Sequence, residues 1–121
     1  MKKNSIKSNP QITDLISQLK RKSREHDVNI WRDIAVRLEK PRKSYAEVNV
    51  SKINRYASEG EILLVPGKVL GSGALDFAVH VAALSFSDAA IDKIAAVKGK
   101  CMTIEELVES NPTGSKIRIL R

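Results

Sequence analysis

The chain has 121 residues, 42% of them hydrophobic and 29% charged, which suits one globular domain and excludes a disordered composition. Aromatic residues make up only 4%, so we expect a core of Ile, Leu, Val and Ala. The single cysteine excludes a disulfide framework and a cysteine-rich zinc module. The longest apolar stretch without charge, residues 77–87, is far short of the roughly 20 residues that span a bilayer. With no apolar segment behind the basic N-terminus, we expect a soluble, intracellular protein.

The positive charge is concentrated at one end of the chain. The formal net charge is +7, and residues 1–60 account for all of it, with 14 basic and 7 acidic side chains. Such an asymmetry favours a polyanionic partner, although a solubilising surface would also explain it. The candidate phosphate-binding residues of the first 43 positions are Lys2, Lys3, Lys7, Lys20, Arg21, Lys22, Arg24, Arg32, Arg37, Lys40, Arg42 and Lys43.

Residues 9–40 predict two amphipathic helices that follow a flexible basic tail, residues 1–8. The first helix begins at Asn9-Pro10, and the second follows a capping segment at residues 27–29. Pro41 ends the second helix, because proline cannot continue it. The apolar stripes consist of Ile12, Leu15, Ile16 and Leu19 in the first helix and of Ile30, Trp31, Ile34, Ala35 and Leu38 in the second.

From residue 44 onward, one pattern occurs three times. An apolar, strand-like run precedes a hydroxyl residue that caps a short helix, and a glycine then leads into the next apolar run. This arrangement predicts an irregular repeat of strands and helices in a core at residues 44–121, although chance could also produce it. The cap and glycine pairs are Ser51 with Gly60, Ser87 with Gly99, and Thr103 with Gly114. Thr103 and Glu106 have the spacing of a capping box.

A glycine-rich segment, residues 66–73, lies between the first two units and leads into a predicted strand at residues 77–84. The segment lacks the third glycine of a dinucleotide fingerprint and the spacing of a P-loop. Two interpretations remain open, a hairpin turn that needs positive φ angles and a loop whose backbone amides contact a phosphate.

Catalytic and metal chemistry find little support in the sequence. His26, His80 and Cys101 are too far apart for ligand spacing, and a triad of Asp76, His80 and Ser85 would divide its members between two strand faces. The helical spacing of Trp31 favours a core position over a base-stacking platform. These observations favour neither a catalytic residue nor a metal site.

Four segments carry a resemblance to a known family. They are Ile30–Ala35, Val48–Ile53, Val65–Gly73 and Ala82–Ser87, and the Val-Pro-Gly-Lys-Val-Leu-Gly run inside the third is a specific signature. Nearly the whole chain resembles the "eighteen-e" protein of the archaeal and eukaryotic large ribosomal subunit, a relative of bacterial large-subunit protein "fifteen". The compact length is similar to that of the archaeal form.

The resemblance implies a non-catalytic structural protein that has no cofactor and no small-molecule substrate. It would bind large-subunit rRNA beside neighbouring ribosomal proteins, in the cytoplasm and away from membranes. It also implies an α/β fold in which two N-terminal helices precede an irregular superhelix of short β-β-α units, within a single domain over residues 1–121. Its basic helical region would cover residues 9–43. By position, one rRNA-facing loop would consist of Gly67, Lys68, Gly71, Ser72 and Gly73.

One departure from the family pattern is Val97-Lys98-Gly99, which replaces an expected double glycine and predicts a change in one turn. Two other functions stay open: a non-ribosomal RNA-binding module and a small enzyme that uses the glycine-rich loop.

Overall fold

The computed structural model describes residues 9–121 and shows a mixed α/β protein with two N-terminal helices, as predicted. The helices are α1 (Asn9–His26), α2 (Ile30–Leu38), α3 (Val50–Tyr56), α4 (Asp88–Ala96) and α5 (Ile104–Ser110). The strands are β1 (Ala46–Asn49), β2 (Ile62–Leu70), β3 (His80–Phe86), β4 (Lys100–Thr103) and β5 (Ile117–Ile119). A single 3₁₀ turn, Arg42–Ser44, joins α2 to β1. The predicted tail lies outside the described residues, and no helix within them is long and apolar enough to cross a membrane.

All strand pairs are parallel, and β2 is at the centre of the sheet. Strand β3 pairs along one edge of β2 and is followed by β4. The other edge takes two short strands in succession, β5 at Ile62–Leu64 and β1 at Gly67–Leu70. Pro66 lies between these two pairings, where its missing N–H interrupts the fewest ladder hydrogen bonds.

The sheet separates two apolar cores. Leu63 and Val65 face a core shared with α3 and α4, whereas Leu64 faces a core shared with α1, α2 and α5. Side chains alternate along a strand, so a strand covered on both faces must be apolar at consecutive positions. This requirement explains the uninterrupted apolar run at the start of β2.

The three predicted repeats are three β-α-β units in the structure: β1-α3-β2, β3-α4-β4 and β4-α5-β5. Two of the predicted caps are confirmed. Ser87 Oγ accepts a hydrogen bond from Ala90 N at 3.1 Å. Thr103 and Glu106 form a complete capping box, in which Glu106 N donates to Thr103 Oγ1 at 3.0 Å and Thr103 N donates to Glu106 Oε1 at 2.8 Å.

The predicted cap at Ser51 is wrong. The helix α3 begins at Val50, two residues earlier than a cap at Ser51 would place it, and Val50 is buried in the core. Asn49 occupies the flanking position with extended backbone, and its side chain makes no capping hydrogen bond. Its Oδ1 instead accepts a hydrogen bond from Ser72 N at 3.3 Å.

The hairpin interpretation of the glycine-rich segment is also wrong. Residues 66–70 belong to β2, and β2 is parallel to β3. In this register Ile62 lies opposite His80, so residues 71–79 must return the chain to the amino end of the sheet. That return occupies the first three positions of the strand predicted at residues 77–84, and β3 therefore begins at His80.

In the turn after α4, at Val97-Lys98-Gly99, Lys98 adopts a φ of 64°, and the change from the family's turn stays a prediction. The left-handed conformation costs a non-glycine residue roughly 1–2 kcal/mol. We expect Lys98→Gly to raise the free energy of unfolding by up to about 1 kcal/mol, since the greater entropy of an unfolded glycine offsets part of the relief. Urea titration of the purified protein measures the change.

Lys100→Gly is the matched control, because Lys100 is an exposed lysine two residues later within β4. Glycine there should lower the free energy of unfolding by roughly 0.5–1 kcal/mol. A Lys98→Gly protein that unfolds at or below the parent's urea midpoint would show that this turn carries no strain.

Candidate nucleic-acid interface

Five of the predicted basic residues lie around one groove. Its first part, about 380 Å³ in volume, is lined by Arg42, Lys43 and Lys68. Its second part, about 590 Å³, continues between α1 and the end of α2, where Lys20 and Lys40 line it together with Arg42. Tyr45 and Ile12 line both parts. We call this feature the basic groove, defined by Lys20, Lys40, Arg42, Lys43 and Lys68 around Tyr45.

Strand register places Lys68 in the groove. Lys68 is the one exposed residue of β2, between buried Gly67 and Val69. It lies opposite Glu47 of β1 and Ser85 of β3, and all three residues line the groove. A register irregularity in the pairing with β3, between Val65 and Lys68, accompanies the change from a strand buried on both faces to one with an open face.

The groove also contains an aromatic residue that the sequence reasoning missed. Tyr45 is half-buried, and its hydroxyl donates a hydrogen bond to Leu38 O at 2.7 Å. Burial raises the pKa of Tyr45 above its ordinary value, and the nearby Arg42 opposes this only in part. The hydroxyl therefore stays protonated at neutral pH and keeps its hydrogen bond. An aromatic residue two positions after the basic segment 40–43 was the available signal.

Other predicted basic residues are engaged within the chain. Lys20 Nζ lies 2.6 Å from Glu39 Oε2, while Arg21 and Lys22 each lie 3.8 Å from Glu25. Arg37 Nε lies 3.3 Å from Asp33 Oδ1. These pairs are at least partly exposed, so each is weak and its cation can exchange its carboxylate partner for a phosphate. Within residues 9–121, the ion pairs do not include Arg24, Arg32, Lys40, Lys43 or Lys68.

The remaining predicted positions are spread over the surface. Arg21, Lys22 and Arg24 of α1 and Arg32 of α2 do not line the groove. Arg37 borders a separate hollow with Lys40 and the C-terminal Arg121. Lys2, Lys3 and Lys7 lie outside the described residues. Charge composition alone therefore selects more residues than one surface brings together.

Residues 71–73 of the glycine-rich segment do not line the groove, and Gly71 and Gly73 are required for packing. A Cβ on Gly71 would lie 2.5 Å from Ala89 Cβ, and one on Gly73 would lie 2.3 Å from Ser51 Cβ. Lys93 Nζ donates hydrogen bonds to both glycine carbonyls at 2.6 Å. Ser72 is exposed, but its amide already donates to Asn49. The loop thus packs against the starts of α3 and α4. Its predicted contact with phosphate stays a prediction.

Two of the residues considered for other chemistry, Trp31 and Asp76, have structural partners. Trp31 is completely buried and its Nε1 donates to Pro112 O at 2.7 Å, which confirms its core position. The carboxylate of Asp76 accepts a hydrogen bond from Asn54 at 3.1 Å. Burial raises the pKa of the Cys101 thiol, which disfavours a reactive thiolate. Across residues 9–121, no three His, Cys, Asp or Glu side chains cluster so as to hold a metal ion.

Comparison with known proteins identifies full-length relatives. The family model described as "Ribosomal protein 60S L18 and 50S L18e" matches residues 1–121. A protein of Methanospirillum hungatei named "Large ribosomal subunit protein eL18" is 64% identical over 121 residues, which is 100% of both chains. Proteins with the same name from Methanosphaerula palustris and Halobacterium salinarum are 63% and 50% identical over 115 residues, 95% of this chain and 95% and 98% of theirs.

The packing role of the glycine-rich loop makes Gly71→Val destabilising. The new side chain would meet backbone atoms of Ala89 and Ala90 at 2.8 Å, so we expect a loss of about 1–3 kcal/mol and a melting temperature several degrees lower. Ala74→Val is the control, because it adds a side chain branch at an exposed position of the same loop. If both variants melt with the parent protein, Gly71 has no packing role.

Proposed function

The chain belongs to the family of ribosomal proteins 60S L18 and 50S L18e, and we propose that it is a structural constituent of the large ribosomal subunit that binds and organises rRNA. The full-length family match is the observation that carries this proposal. The family consists of structural ribosomal proteins and not of enzymes. In the cell the protein would reside in cytoplasmic ribosomes, in contact with rRNA and neighbouring ribosomal proteins.

The proposed physical mechanism is charge neutralisation. Lysine and arginine side chains replace counterions condensed on rRNA phosphates, and the released counterions provide the free energy of binding. The basic groove supports this mechanism because it gathers cations from α1, from the segment after α2 and from β2 on one surface. Recognition would then depend on phosphate positions and RNA shape, since A-form helices offer no readable major groove.

The remaining predicted residues would extend this contact. Arg21, Lys22, Arg24 and Arg32 are exposed or partly exposed on the N-terminal helices, and Arg37 lies beside Lys40. We propose that these side chains contact phosphates outside the groove. The same role is proposed for Lys2, Lys3 and Lys7 and for the loop of Gly71, Ser72 and Gly73.

Sedimentation tests the ribosomal assignment directly. We expect the protein in a cell lysate to sediment with the large subunit in a sucrose gradient, in near-equal molar amount, at both low and high salt. A general RNA-binding module would sediment with many RNAs and leave the subunit as salt rises. Recovery as free protein at both salt concentrations would refute the structural role.

A charge-matched pair of triple variants tests the groove. Lys40→Gln, Lys43→Gln and Lys68→Gln together should reduce the slope of log affinity against log salt for large-subunit rRNA by about 2–3, since each phosphate contact contributes roughly 0.7–0.9. Filter binding over a salt series measures the slope.

The control triple variant is Lys98→Gln, Lys100→Gln and Lys116→Gln, which removes the same charge from exposed positions at the amino ends of β4 and β5. It should leave the slope close to that of the parent. Equal slopes for the two triple variants would show that phosphates do not prefer the groove.

A further inference from the structure

The first part of the basic groove is lined by apolar side chains, here called the floor, and by positively charged side chains, here called the rim. Ile12, Tyr45 and Leu84 supply apolar surface, and Arg42, Lys43 and Lys68 stand around it. A surface that only neutralised the phosphates of a double helix would need the cations and not the floor. Tyr45 and Leu84 also pack against the core, and their remaining exposed surface can contact an apolar, flat portion of a ligand that carries negative charge.

The Tyr45 side chain is held rigidly in this groove. The 3₁₀ turn before it is closed by two backbone hydrogen bonds, Ser44 N to Pro41 O at 2.8 Å and Tyr45 N to Arg42 O at 3.0 Å. The hydroxyl hydrogen bond to Leu38 O fixes the far end of the ring. An aromatic ring that is already immobilised loses little entropy when a flat group stacks on it.

Polar groups that can form hydrogen bonds with the edge of a base line the same part of the groove as the Tyr45 ring. Glu47 and Ser85 flank Lys68 on the neighbouring strands and line the same groove. A carboxylate accepts hydrogen bonds, and a hydroxyl both donates and accepts them. With Lys68 between them, these groups can contact a base edge and a phosphate within one nucleotide.

We propose that the basic groove binds an unpaired RNA nucleotide, with its base against the Tyr45 ring and its phosphate among Arg42, Lys43 and Lys68. The proposal rests on the proposed function and specifies the form of RNA that this surface accepts. In duplex RNA the bases are stacked on one another, and their faces are closed to protein rings. Only a nucleotide whose base is unstacked can contact both the apolar floor and the charged rim.

The test separates the base from the phosphate. Two single-stranded probes of equal charge are used, hexauridine and a hexamer of abasic nucleotides, with the full chain at low salt. We expect the parent protein to bind hexauridine about tenfold more tightly than the abasic hexamer, consistent with stacking of one base on an aromatic ring. Fluorescence anisotropy of end-labelled probes measures both affinities.

Two variants at position 45 test whether the preference for hexauridine over the abasic hexamer depends on the Tyr45 ring. Tyr45→Phe keeps the ring and removes its hydroxyl hydrogen bond, and it should retain most of the tenfold preference. Tyr45→Leu removes the ring and should bind the two probes equally, while its affinity for the abasic hexamer stays near that of the parent. Thermal melting checks that both variants fold.

Photocrosslinking of the parent protein gives a test that does not depend on a variant folding. A hexamer containing 4-thiouridine should crosslink within the basic groove, at Tyr45 or its neighbours. Equal affinity of the parent for both probes, an unchanged preference in folded Tyr45→Leu, or crosslinks only outside the groove would overturn the proposal. None of these results alters sedimentation with the large subunit, so failure of the groove and failure of the ribosomal assignment are distinguishable.

Discussion

The close approach of β1 to β2 at Gly67 determines where the basic groove forms. A Cβ on Gly67 would lie 1.9 Å from Ala46 O, so only glycine allows this pairing. Tyr45 precedes Ala46, and Lys68 follows Gly67. The same backbone contact therefore brings the ring and the lysine to one surface. It also aligns Glu47 with Lys68 across the strands. The sequence suggests that Gly67 contacts phosphate, but in the structure Gly67 builds the site by letting two strands pack closely.

Local features of the fold could be predicted from the sequence. Apolar spacing predicted both N-terminal helices, and the capping box at Thr103 predicted the start of α5, because these signals depend on residues within one or two turns. Strand pairing could not be predicted from the sequence, because it joins segments as distant as Ile62 and Ile117. The hairpin error had this origin: a run rich in glycine and proline suggested a local reversal, whereas long-range parallel pairing demanded a return across the sheet.

In the candidate site, too, some features could be predicted from the sequence and others depend on tertiary structure. The excess of lysine and arginine in the first half of the chain predicted a polyanionic partner, which agrees with membership of a ribosomal protein family. Which cations share a surface depends on tertiary structure. Lys20 and Lys68 line one groove, while Arg21, the immediate neighbour of Lys20, does not. Helical rotation of about 100° per residue separates these neighbours, and the position of β2 supplies the distant lysine.

Trp31 has a consequence for how the chain is made. Its Nε1 donates to Pro112 O, 81 residues later in the sequence, and its side chain belongs to the core that α1 and α2 share with α5. The N-terminal helices are synthesised first and contact each other, yet the core that they share with α5 is completed only after α5 and the turn beyond it have been translated. Until then, the half of the chain with all the net positive charge lacks the part of its core that α5 supplies, while cellular nucleic acids surround it. The order of translation thus delays formation of the core beneath the basic surface until the chain is nearly complete.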